Sequence, residues 1–129
     1  MIVLDTHALL WWSLDPQYLS RKAAAMCEQL ESDGGFASAI SIWELAVKVR
    51  AKKLELPITV GELALQIERN GRLQLVPTDA AIWHRAAELD WEHRDPADRV
   101  IVATAQLRGL PILTKDSAMH SQKLVECVW

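Results

Sequence analysis

Five acidic residues occupy positions where their side chains could act together in one reaction: Asp5, Glu44, Asp95, Asp98 and Asp116. Carboxylates brought together without matching Lys or Arg repel one another, by roughly 4 kcal/mol for a pair about 4 Å apart at intermediate dielectric. Cations or protonation relieve that repulsion. Carboxylate oxygens without a cysteine pattern favour Mg²⁺ or Mn²⁺ over Zn²⁺ as the cation. Such ions can polarise a phosphodiester, activate a water and stabilise the leaving oxygen, so the chemistry indicated is phosphodiester hydrolysis.

Each acid also has a local explanation that requires no function. Asp95 is a good helix N-cap, and Asp98 falls where the acid of a capping box lies. Asp5 can cap the helix that follows it. Glu44 lies one turn into an apolar segment and can turn to solvent or pair with Lys48 four residues later. Taken one at a time, the acids leave these alternatives open.

Hydrophobic patterning predicts the elements that would position the acids. Strands are predicted at residues 2–4, 36–38, 73–77, 110–114 and 124–129, the last at a sheet edge, and helices at residues 8–14, 20–32, 40–48, 59–70, 79–90 and 96–107. This alternation predicts a single domain over residues 1–129 with an α/β fold, a three-layer α/β/α sandwich around a mainly parallel sheet. Strand carboxyl ends and helix N-termini then share one edge, where ligands bind. The same edge would carry hydroxyls able to orient a water or a carboxylate, those of Thr6, Ser38 and Thr114.

Composition narrows the class of protein. The 129 residues are 50% hydrophobic and 24% charged, which is ordinary for a soluble globular domain. The net charge of −3 argues against nucleic-acid binding through a bulk positive field. With neither a signal peptide nor a membrane-length apolar run in the pattern, we expect a cytoplasmic protein with no membrane contact. Cys27 and Cys127 fit neither a metal pattern nor a disulfide framework, so we expect both thiols to be reduced.

Basic residues lie near the acids in two places. Lys48, Arg50 and Lys52 belong to the densest basic run in the chain, and Arg94 and Arg99 flank the acids before the buried helix. Most such runs are solvated faces. Next to an acidic pocket they can also contact the phosphate backbone of a polyanion.

Four segments, at residues 4–11, 38–44, 93–99 and 113–116, resemble in order and spacing those of PIN-domain ribonucleases, specifically the VapC toxins of bacterial type II toxin–antitoxin modules. The resemblance spans essentially the whole chain. It implies a PIN-like fold and a Mg²⁺- or Mn²⁺-dependent endoribonuclease that cleaves structured RNA such as tRNA or ribosomal RNA. It also implies a homodimer, and a VapB-type antitoxin that inserts a segment near the acidic site.

The resemblance also assigns roles to the acids. The family's four site acids are matched in order by Asp5, Glu44, Asp98 and Asp116. We expect Asp5 and Asp98 to contact the metal most directly, with the other two binding through water or positioning it. Asp95 matches an additional acid, which we expect to cap the helix and border the site. Lys115 stands where relatives often carry a small polar residue, and it could add a phosphate contact.

Other functional classes fit the sequence less well. A haloacid-dehalogenase-type phosphatase needs a second Asp two positions after the first, where this chain has His7. A receiver domain needs an Asp after a central strand, and residues 36–38 supply none. The remaining alternative is a non-catalytic PIN-fold module that binds RNA or protein, and the presence of all four acids weighs against it.

Tryptophan usage suggests a protein partner. The chain has six Trp but one Phe and one Tyr, and Trp is favoured at interfaces. Trp11 and Trp12 are adjacent on a predicted helix and should not both face one core. We therefore predict that at least one of them meets the antitoxin or a second subunit.

Overall fold

Five strands and seven α-helices make up the computed structural model, which describes residues 1–129. The strands are β1 (Val3–Leu4), β2 (Gly35–Ser38), β3 (Leu73–Val76), β4 (Ile112–Leu113) and β5 (Cys127–Val128). The helices are α1 (Thr6–Leu14), α2 (Arg21–Asp33), α3 (Ile40–Arg50), α4 (Val60–Asn70), α5 (Ala80–Glu88), α6 (Pro96–Arg108) and α7 (Ser117–Ser121). A single 3₁₀ turn, Pro16–Tyr18, joins α1 to α2.

The sheet has the strand order β3-β2-β1-β4-β5, and every neighbouring pair is parallel. The predicted α/β/α fold is therefore confirmed, with β5 at an edge. From β1 the chain first builds the sheet on one side through β2 and β3, and then crosses to the other side for β4 and β5. The direction of winding thus reverses between β1 and β4, and ligands of open α/β sheets bind at such a switch point.

The central strand β1 is covered on both faces. Val3 packs in a cluster with Ile101 of α6 and Met119 of α7, whereas Leu4 packs in a separate cluster with Leu9 of α1 and Leu30 of α2. Successive side chains of a strand point to opposite faces, so these two clusters are the cores of the two helical layers. Asp5 follows β1 directly, so the two cores hold its backbone position from both faces of the sheet.

The buried helix α6 has the predicted extent, and its burial explains its composition. Residues 100–105 are all buried, including Thr104, whose hydroxyl donates to the Val100 carbonyl 2.7 Å away. A helix that is apolar on most sides must lie inside the layer. The N-terminus of α6 is consequently held in place by the core rather than by surface contacts.

Several boundaries differ from the sequence-based predictions. The predicted strands at residues 110–114 and 124–129 are shorter, because each is paired only over the two residues of β4 or β5. The five-residue helix α7 was not predicted, since one helical turn carries no periodic signal. The expectation that Trp11 and Trp12 cannot share a core is wrong, because both are half-buried against the same cluster. Whether either meets a partner stays a prediction.

Two further expectations concern cysteines and membranes. Cys27 and Cys127 are both free thiols, as predicted. No helix combines the length and apolar character needed to span a bilayer.

Candidate active site

Asp5 is held at the carboxyl end of β1 by contacts to both of its carboxylate oxygens. It is the N-cap of α1, where Oδ1 accepts a hydrogen bond of 2.8 Å from the Ala8 N–H. Oδ2 accepts a hydrogen bond from the Thr114 hydroxyl. Only 5% of Asp5 is exposed. Burial raises the pKa of this carboxyl, against the lowering effect of the two hydrogen bonds.

Thr114 connects Asp5 to the segment that carries Asp116. Its hydroxyl donates to Asp5 and accepts a 3.0 Å hydrogen bond from the Asp116 N–H. Asp116 in turn caps α7 by accepting from the Ala118 N–H at 2.8 Å. The two acids that follow the neighbouring strands β1 and β4 are thus fixed by one shared hydroxyl.

Asp95 and Asp98 have different roles at the start of α6. Asp95 is the N-cap, and its Oδ1 accepts from the backbone N–H groups of Ala97 at 2.9 Å and Asp98 at 3.3 Å. The Asp98 carboxylate forms no capping box with Asp95. Instead, its Oδ2 lies 2.6 Å from Nε2 of His93. Burial is the main cause that raises the pKa of Asp98 to about 6.

Three of the acids from separate elements influence one another electrostatically. The negative charge of Asp116 raises the pKa values of both Asp5 and Asp98, and Asp95 adds to the effect on Asp98. None of these four carboxylates forms an ion pair with a Lys or Arg. Asp5 and Asp98 are thus carboxyls with little exposure, no Lys or Arg partner and a third acid nearby, an arrangement that fits a site for a cation.

The donor atoms present suit a divalent cation. His93, Asp95 and Asp98 each offer a ligand atom within 4.8 Å of the others. Asp5 and Asp116 lie outside this group, and the charge of Asp116 acts on both Asp5 and Asp98. Oxygen donors with at most one imidazole are typical of Mg²⁺ and Mn²⁺ sites.

Glu44 lies on the face of α3 that packs toward α1. Its side chain is 14% exposed, and its Oε1 is 3.7 Å from Nζ of Lys48, the pairing left open by the sequence. Ser41, one turn earlier on the same helix face, is hydrogen-bonded to the buried hydroxyl of Thr6 at 2.9 Å. Thr6 therefore joins α1 to α3 next to Asp5, and its hydroxyl does not contact an acid.

Arg99 has a structural role, and its contact with RNA stays a prediction. Its guanidinium donates to five backbone carbonyls at distances of 2.5 to 3.5 Å, those of Ala86, Ala87, Leu89, Trp91 and His93. A guanidinium has five N–H groups, so each of them has an acceptor within the chain. The side chain fixes the segment between α5 and α6, including His93.

The other basic residues singled out in the sequence remain accessible. Arg50, Lys52 and Arg94 are exposed and form no ion pair, while the half-exposed Lys48 contacts Glu44. Their contact with phosphates stays a prediction.

His93 is the site residue that the sequence did not single out. Its ring contacts Asp98 and packs on Trp91 with the ring centroids 4.6 Å apart. The available signal was its position five residues before Asp98, but that spacing follows neither a helix nor a strand period. Only the loop held by Arg99 brings the two side chains together.

Comparison with known families agrees with this geometry. Residues 2–123 match the family model of the PIN domain. The chain belongs to the PIN domain family. It is 33% identical over 122 residues to Ribonuclease VapC22 of Mycobacterium tuberculosis (strain ATCC 25618 / H37Rv), a similarity that covers 95% of this chain and 92% of that protein.

Three solved structures have a similar fold. The crystal structure of FitAcB from Neisseria gonorrhoeae is similar with a TM-score of 0.66 and 25% identity, over 98% of this chain and 96% of that one. A toxin–antitoxin complex from Klebsiella pneumoniae has a TM-score of 0.62 and 19% identity, over 95% and 92%. FitAB bound to an IR36 DNA fragment has a TM-score of 0.59 and 24% identity, over 99% and 94%. The latter two are similar in fold alone.

Proposed function

We propose that this PIN domain is a metal-dependent endoribonuclease of the VapC type, a toxin that a cognate antitoxin neutralises. The observation that carries the proposal is the set of carboxylates of Asp5, Asp98 and Asp116, which come from three elements and form no ion pair with a Lys or Arg. Similarity to Ribonuclease VapC22 over most of both chains supports RNA as the substrate.

Within this proposal, Asp5 and Asp98 hold Mg²⁺ or Mn²⁺, while Glu44 and Asp116 bind through water or position it. The cation, when bound, supplies the positive charge that activates water and stabilises the leaving oxygen of a phosphodiester. The protein's part is to fix the ligands in advance. Thr114 and the first turn of α1 restrain both oxygens of Asp5, and His93 restrains one oxygen of Asp98.

Structured RNA such as tRNA or ribosomal RNA is the substrate class that we propose. The overall charge is −3, so phosphate contacts must come from local basic groups. Lys48, Arg50, Lys52 and Arg94 are candidates because they are at least partly exposed. Phosphate contacts of this kind weaken as salt rises.

A VapB-type antitoxin and a second copy of the chain are the proposed protein partners. The structure from Klebsiella pneumoniae is a toxin–antitoxin complex. Exposed apolar side chains of α3, Trp43 and Val47, offer surface for such contacts, since large apolar side chains are favoured in interface cores.

The test is RNA cleavage by the purified chain without antitoxin. We expect cleavage of tRNA or ribosomal RNA with Mn²⁺ or Mg²⁺, none with EDTA, and none for Asp5→Asn or Asp98→Asn variants that retain the wild-type circular dichroism spectrum. A wild-type protein that binds RNA but leaves it intact with either metal would support the non-catalytic PIN module instead.

A further inference from the structure

An aromatic cluster lies beside the carboxylates and has no role in holding them. We define it as His7, Trp11, Tyr18 and Trp129, with Trp11 at its centre. The centroid of the Trp11 ring is 5.5 Å from that of His7, 5.8 Å from that of Tyr18 and 5.6 Å from that of Trp129. Nζ of Lys115 lies 5.9 Å from the Trp11 ring. Four aromatic side chains and an ammonium group therefore meet at one place.

His7 and the adjacent Lys115 place the cluster next to the acids, because each follows a strand that also leads to one of the acids. His7 comes two residues after Asp5, in the first turn of α1, and Lys115 lies directly between Thr114 and Asp116. Trp129 follows β5, whose neighbour is β4. All of these positions lie at the carboxyl edge of the sheet, where the acids converge.

Core packing alone does not account for the cluster. His7 and Lys115 are exposed, Tyr18 is 58% exposed, and Trp11 and Trp129 are only half-buried. The ring planes are inclined to Trp11 by 38° for His7, 34° for Tyr18 and 57° for Trp129. The rings are thus tilted rather than stacked face to face, so they do not fully cover one another's faces.

The chemistry of the cluster fits a nucleotide. Aromatic faces stack on any base, and an adjacent ammonium neutralises the phosphate to which that base is joined. A binding site for an apolar peptide would not place a lysine over its central ring. The cluster also lies beside the carboxylates of the proposed ribonuclease site. An RNA strand bound for cleavage is therefore the appropriate occupant.

We propose that the aromatic cluster binds one unpaired base of the RNA substrate next to the phosphodiester that is cleaved, with Lys115 contacting the adjoining phosphate. The inference rests on the proposed ribonuclease function, since it assigns a subsite to the same substrate. It implies that the enzyme cuts where a base can leave its helix, in a loop or a bulge, because a paired base cannot reach the cluster.

The experiment compares two RNAs of equal charge. One is a fluorescein-labelled single-stranded adenosine octaribonucleotide, and the other has the same backbone with every base removed. Binding is measured by fluorescence anisotropy in EDTA, so that cleavage does not interfere. The wild type should bind the adenosine octamer about tenfold more tightly than the abasic one, a difference typical of one stacked base.

Variants then locate the base contact. In Trp11→Leu, the affinity for the adenosine octamer should fall to that for the abasic octamer. Lys115→Gln should weaken the binding of both octamers equally, because Lys115 contacts phosphate. The matched control is Trp83→Leu, since Trp83 is 51% exposed on α5 and contacts none of the cluster rings. It should retain the tenfold preference. If Trp11→Leu fails to fold, Tyr18→Leu, at an exposed position, takes its place and should reduce the preference.

Equal binding of the two octamers by the wild type would overturn the inference, and so would a full tenfold preference in folded Trp11→Leu. Either result would leave the cluster to another partner such as the antitoxin. The ribonuclease proposal is tested separately by RNA cleavage in Mn²⁺. A wild type that prefers the adenosine octamer but does not cut RNA would support the base subsite and refute the ribonuclease proposal. A wild type that cuts RNA but shows no preference would support the ribonuclease proposal and refute the base subsite.

Discussion

Replacing Asp98 by Asn should abolish cleavage and yet stabilise the metal-free protein. Burial raises the pKa of Asp98 from 3.8 to about 6, so above that pH the fold holds a carboxylate that it disfavours. Asn has the same shape and no charge, and its amide can still contact His93. The substitution therefore removes a destabilising charge without opening a cavity.

The size of the effect follows from the shift in pKa. About two pKa units at roughly 1.4 kcal/mol each set a ceiling near 3 kcal/mol. The side chain is 16% exposed and borders solvent, which screens the charge, so we expect about 1 to 2 kcal/mol. For a domain of this size, that corresponds to a rise of roughly 5 °C in Tm.

The sign of the pH dependence is also determined. Because the pKa of Asp98 is higher in the folded than in the unfolded state, protonation favours folding, and this stabilisation is lost as pH rises through about 6. The difference in unfolding free energy between Asp98→Asn and wild type should be largest at pH 8 and close to zero at pH 4. Urea unfolding of both proteins in EDTA, at a series of pH values, measures it.

Two controls separate this explanation from others. Mn²⁺ at pH 8 should stabilise the wild type and not Asp98→Asn, because a ligand that binds only the folded state raises stability. Asp95→Ala should instead destabilise the protein by about 1 kcal/mol at pH 8, because it removes the N-cap of α6. If Asp98→Asn is less stable than wild type at pH 8 in EDTA, the Asp98–His93 contact is a stabilising ion pair and the reasoning from burial is refuted.

Three further predictions follow from individual contacts. Arg99→Ala leaves carbonyls without donors and should cost at least about 2 kcal/mol in urea unfolding, whereas exposed Arg94→Ala should leave stability within about 0.5 kcal/mol; equal losses would contradict the structural role. Thr114→Val removes a hydrogen bond that lowers the pKa of Asp5, so the acid limb of the cleavage pH profile should move to higher pH. An unchanged acid limb would show that Thr114 does not set the pKa of the group that controls cleavage. Thr59→Ala breaks the capping box of α4 and should cost about 1 kcal/mol with no change in the cleavage rate constant of the folded protein; slower cleavage would indicate an unexpected link between α4 and the site.

Helix caps and the i,i+4 ion pair could be predicted from the sequence, because the interacting residues lie within a few positions of each other. The caps formed by Asp5 and Asp95 accept N–H groups two or three residues later, and the Glu44–Lys48 pair follows the helical repeat. Apolar runs likewise indicated the parallel sheet and the buried helix α6. The identity and order of the acids carried the family resemblance, which needs no coordinates.

Only the tertiary structure decided how those residues meet. The bond between Thr114 and Asp5 joins residues 109 positions apart, and it exists because β4 is placed beside β1 in the strand order. Arg99 became a structural residue because a loop of carbonyls surrounds it. Trp11 gathers partners from α1, the 3₁₀ turn and the region after β5. Burial and long-range contact arise from the packing of the whole chain, so the raised pKa values and the aromatic cluster have no local sequence signal.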